Sequence, residues 1–202
     1  MTMPDANEIL NGLKGAWRIM ARDPGAPQFF NLSADGFQRS FAALALVLPI
    51  LFFTATSLWR MALTLQVYDD TDFAAFAFVQ IGGSVIYWAI YLIAMIPITR
   101  ALGLGGNFLA YVITFNWGTL LTSALFALPL ILFSIGLAPG PVAIAMTLPA
   151  LAALAWYRWQ IARSVLGAPL SSTIAILVFD FTLGALIDHG LGVLILRPSG
   201  AM

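Results

Sequence analysis

Apolar residues run almost unbroken through five stretches of this chain, and polar residues collect between them. The stretches fall at about 37–59, 73–98, 108–135, 141–160 and 170–189. A helix rises 1.5 Å per residue, so about 20 residues cross the roughly 30 Å hydrocarbon core of a bilayer. The pattern predicts an all-α polytopic membrane protein: a five-helix transmembrane bundle over residues 35–196, preceded by a cytoplasmic segment (1–34) and followed by a short tail (197–202).

The first segment has a different period. Asp5 and Glu8 stand at capping-box spacing, and Ile9, Leu13, Trp17 and Met20 then recur at helical spacing, with Lys14, Arg18 and Arg22 largely opposite. A basic amphipathic helix with a Trp suits a membrane interface, packs on the cytoplasmic ends of the spans, or binds a dedicated partner. No apolar run follows a basic start here, so no cleavable signal peptide is expected. Ser33 is placed to cap the first span. Glycines and prolines mark the turns: 101–107 is glycine-rich, and Gly136, Gly140, Gly167 and Pro169 flank the later ones. Trp156, Tyr157 and Trp159 beside Arg158 and Arg163 read as a water interface. Residues 191–196 are too few to cross again.

Composition agrees. Apolar residues make up 61% of the 202 positions and charged ones only 9%, against about 25% charged in soluble domains. Zero net charge argues against nucleic acid as a partner. Without cysteine there is no disulfide, thiolate or zinc–sulfur chemistry. Asp69, Asp70 and Asp72 cluster, but no Gly or further acid at loop spacing supports calcium, so they read as a solvated loop. Neither a cofactor nor a metal is indicated. Arg outnumbers Lys eight to one, a bias typical of GC-rich bacterial genomes.

Basic residues set the expected orientation. Lys14, Arg18, Arg22, Arg39, Arg100, Arg158 and Arg163 fall on one side, Arg60 and Arg197 on the other. The positive-inside rule then places the protein in a bacterial inner membrane with a cytoplasmic N-terminus and a periplasmic C-terminus.

Candidate chemistry centres on the last span. An ionised carboxylate in hydrocarbon costs roughly 3 kcal/mol or more, so Asp180 is expected to face protein. Asp180, Gly184 and Asp188 share a helix face. Asn116 and Asp180 lie at similar depth, roughly 12 and 15 Å from the same edge. This predicts a hydrogen bond between them with Thr119 nearby, serving as a structural clasp or as part of a proton- or ion-coupling site. Arg60, Asp188 and His189 form a candidate group at the outer interface. Gly82, Gly83, Gly118 and Gly184 are candidate helix-packing positions. No catalytic serine set, phosphate loop or metalloprotease pair is found, so no enzymatic activity is expected.

The stretch 100–107 (RALGLGGN) followed by 108–117, with five spans and a cytoplasmic N-terminal segment, resembles the Yip (Ypt-interacting) membrane-domain family and its bacterial branch. The proline often found in the third span of such proteins is replaced here by Asn116 and Trp117. The resemblance implies a non-enzymatic membrane protein. Eukaryotic members bind Rab-type GTPases, a role with no counterpart in bacteria. The sequence thus leaves three functions: a scaffold or accessory subunit packing against other membrane proteins or against itself, a small transporter or channel using Asp180, and an intramembrane enzyme. The scaffold is the leading expectation.

Overall fold

A computed structural model describes residues 3–65 and 72–196. Six helices account for most of them: α1 Ala6–Met20, α2 Ala34–Thr64, α3 Phe73–Ala101, α4 Gly105–Ser134, α5 Gly140–Val165 and α6 Leu170–Ile195. No strand occurs among the described residues. The protein is all-α, and α2 to α6 are long and apolar enough to cross a membrane; it is a membrane protein. Helix α2 continues five residues past Trp59, and α6 runs on to Ile195, so residues 191–195 extend the helix. Leu196 then packs with Phe76 and Val79 at the start of α3. Asp69, Asp70 and Arg197 lie outside the described residues.

Local chemistry fixes the ends. Asp5 Oδ1 accepts the Glu8 N–H at 2.7 Å, and Ser33 Oγ accepts the Gly36 N–H at 3.1 Å. These caps satisfy backbone donors that the first helical turn leaves unpaired. Each interhelix turn from α3 to α6 carries one glycine at positive φ: Gly103, Gly136 and Gly167. That left-handed conformation costs glycine little and lets the chain reverse tightly.

Helix α4 is the axis. Residues 111–118 are buried without a break, because α1, α2 and α5 all pack around that part of it. Helices α3 and α6 pair beside it. The main core joins Tyr91, Tyr111, Phe115, Tyr157 and Ile161 at the end of the bundle that carries α1. At the far end the packing divides into two small clusters, one around Met61 and Leu130, the other around Phe76 and Val79. The bundle is therefore tight at the α1 end and splayed at the other.

Helix α1 docks through small residues. Gly12, Gly15, Ala16 and Ile19 are buried. A Cβ at Gly12 would overlap the Trp117 ring, and one at Gly15 the Phe30 ring. Trp156 Nε1 donates to the Met20 carbonyl at 2.8 Å, and Arg39 pairs with Glu8 at 3.2 Å. Ile9, Leu13 and Met20 of the apolar stripe pack against the core, whereas Trp17 is 57% exposed: close approach to Trp117 and Phe30 centres the docked face on Gly12, Gly15 and Ala16.

Candidate intramembrane polar site

Asp180 faces protein and is only 5% exposed. Its Oδ1 accepts the Tyr87 hydroxyl from α3. Its Oδ2 lies 3.5 Å from Arg158 Nε on α5. The Arg158 guanidinium carbon sits 3.5 Å from the Phe115 ring centroid on α4, a cation–π contact. Tyr91 stacks on Phe115 at 5.0 Å and on Phe179 at 5.9 Å, and its hydroxyl shares a 2.6 Å hydrogen bond with Tyr111. Helices α3, α4, α5 and α6 thus converge on one ion pair inside an aromatic cage. At an effective dielectric constant near 20, unit charges 3.5 Å apart attract by about 5 kcal/mol. That attraction offsets the cost of taking two ions out of water only when hydrogen bonds satisfy them as well, as Tyr87 does for Asp180.

Asn116 belongs to a second network, and the expected bond to Asp180 is absent. Asn116 Oδ1 accepts from Trp88 Nε1 at 3.1 Å, and Nδ2 donates to Ser40 Oγ at 2.9 Å. It ties α4 to α2 and α3. Thr119 joins neither group, its hydroxyl donating to the Phe115 carbonyl of its own helix at 2.9 Å. Similar depth along two spans does not fix azimuth. Phe115 holds the face toward Arg158, so Asn116, one residue on, is turned about 100° away.

The outer-interface group does not assemble. Arg60, Asp188 and His189 are exposed. Among the described residues the ion pairs are those of Arg18 with Asp23, Arg39 with Glu8 and Arg158 with Asp180. Asp188 instead edges a cavity of about 160 Å³ with Gln80, Ser84 and Tyr87. Of the four packing glycines, Gly118 abuts the Tyr157 ring, Gly83 lies against Leu191, and Gly184 faces Tyr87. Gly82 does not meet another helix as expected: the nearest atoms to it are those of Phe78 on its own helix, within the π-helical turn Phe78–Gly82.

Arg158 and Tyr157, expected at an aromatic water interface, are both buried. A usable signal exists. Arg158 and Asp180 each lie 11 residues from Pro169 in the turn between α5 and α6, so an antiparallel hairpin sets them level. Tyr87 carries no comparable signal. Among the described residues no three His, Asp or Glu side chains gather as a metal site. No family model matches the chain, and no curated protein or solved structure does either.

Proposed function

We propose that the protein is a non-enzymatic scaffold or accessory subunit of a bacterial inner membrane, with its N-terminus cytoplasmic and its C-terminus periplasmic, packing against other membrane proteins. The observation that carries this reading is the commitment of Asp180. Both its oxygens are engaged by neighbouring helices of the same chain, so the carboxylate fastens helices together. The apolar faces of α5 and α6 supply the surface for partners: only 17% of the most apolar window of each is buried within the chain. Membership of the Yip-type membrane domains is part of the proposal, supported by five apolar helices and the glycine-rich turn at 101–107. A photo-crosslinking residue at Leu148 or Leu186, each 65% exposed, tests it in native membranes. A discrete protein adduct is expected; adducts to lipid alone contradict a scaffold.

A second reading is a small transporter with Asp180 as coupling carboxylate. The observation favouring it is that two cavities, one edged by Asp188 and one by Arg158, share Ser84 and Tyr87 as lining residues, and Tyr87 bonds to Asp180. Proton flux into proteoliposomes tests it: loss of flux in a folded Asp180→Asn variant supports coupling, and the absence of flux in the native protein removes it.

A further inference from the structure

The larger cavity, about 580 Å³, lies between α2, α3, α4 and α5. Ligand pockets typically measure about 300–1,000 Å³, so it is large enough for a molecule rather than a packing defect. Phe41 and Thr54 line it on α2, 13 residues apart, which is roughly 20 Å along the helix. One leaflet of the hydrocarbon core is roughly 15 Å deep. The cavity therefore has the length of one lipid acyl chain. Its walls are mainly aliphatic and aromatic. Leu48, Val85 and Leu151 on its lining are each more than 40% exposed, so it opens sideways toward the bilayer.

One end of the slot is polar. Arg158 lines it, is only 5% exposed, and its Nη1 has no hydrogen-bond partner among the described residues. A buried donor of this kind leaves a substantial penalty unless something accepts from it. Trp156, two residues away, bonds to α1, whose Lys14, Arg18 and Arg22 are exposed; charged side chains keep to the headgroup side, which sets Arg158 near the level where lipid esters meet the acyl region, shallower than the roughly 15 Å that span length alone suggests for Asp180. Charge selects among acceptors. Asp180 already offsets the Arg158 cation, so a second anion would leave a net negative charge in a low-dielectric site. A neutral carbonyl fits better.

We propose that this cavity holds one acyl chain of a membrane glycerolipid, with the chain's ester carbonyl accepting from Arg158 Nη1. The second chain and headgroup stay outside, beyond the rim formed by Leu48 and Leu151. The site is distinct from partner packing on the outward faces of α5 and α6.

The probe is a phosphatidylethanolamine carrying a diazirine at the end of one acyl chain, photolysed with the full-length protein in proteoliposomes. Mass spectrometry should place the label on α4 between Thr119 and Phe126, and native mass spectrometry should find one phospholipid retained through detergent washing. Ser123→Phe, which puts a ring into the slot, should lower labelling by about tenfold while the protein remains monodisperse. Arg158→Lys keeps a cation opposite Asp180 but removes Nη1, and should weaken retention by roughly tenfold, the scale of one hydrogen bond to a charged donor. If Arg158→Lys does not fold, Ser123→Phe still decides the matter. Equal labelling of the native protein and Ser123→Phe, or label confined to outward residues such as Leu148, overturns the proposal. So does a diazirine fatty acid that labels α4 better than the phospholipid, since it would make the ligand a free carboxylate.

Discussion

Removing one member of the buried ion pair should cost far more than removing both. Asp180→Leu leaves the Arg158 guanidinium, 3.5 Å away, without its counter-charge, and also strands the Tyr87 hydroxyl. The lost attraction is about 5 kcal/mol at an effective dielectric constant near 20. Uncompensated buried charges in proteins typically cost about 3–5 kcal/mol, and that is the expected loss for the single variant. Arg158→Met strands the carboxylate instead and should cost a similar amount. The double variant exchanges the ion pair for apolar side chains of comparable size, which is often nearly neutral, so it should lie within about 2 kcal/mol of the native protein. SDS titration of the four proteins in mixed micelles, followed by circular dichroism, yields the double-mutant cycle. A coupling energy of at least about 4 kcal/mol is expected on this reasoning. If the double variant loses the sum of the two single losses, the residues act independently and the clasp does not exist.

Three further outcomes follow from packing and hydrogen bonding. Gly118→Ala drives a methyl group into the Tyr157 ring, which is held by its hydrogen bond to the Thr114 carbonyl; a loss of about 1–3 kcal/mol is expected in the same titration. Asn116→Leu removes the acceptor of the Trp88 indole N–H and the donor to Ser40 Oγ, whose own hydroxyl still donates to the Phe37 carbonyl, and should cost about 1–2 kcal/mol, with no change in the coupling between Arg158 and Asp180. Gly12→Val blocks the approach of α1 to Trp117, so hydrogen exchange should accelerate over Ala6–Met20 while α4 stays protected.

The bundle was legible because lipid imposes a length on every span, and the apolar runs meet it. The inward turn of Asp180 was legible for the same reason, since hydrocarbon tolerates an ionised acid poorly. Its partners were not. A charge among aromatic residues, as Arg158 stands between Tyr157 and Trp159, reads equally as interface or as cage, and only the hairpin count about Pro169 separates the two. Asn116 shows the limit of matching by depth: rotation about the helix axis decides the partner, and a π-helical turn such as Phe78–Gly82 resets that rotation without a clear mark in the residue pattern. The docking of α1 illustrates a different gap. An apolar stripe predicts which side is greasy, but the shape of Trp117 determines that Gly12 meets it.

Five crossings, on which every placement above depends, are tested most directly by paired reporters in a bacterial host. Green fluorescent protein and alkaline phosphatase are each fused to either end of the chain. Fluorescence without phosphatase activity at the N-terminus, and phosphatase activity without fluorescence at the C-terminus, is the predicted result. Both ends reporting from the same compartment would contradict it.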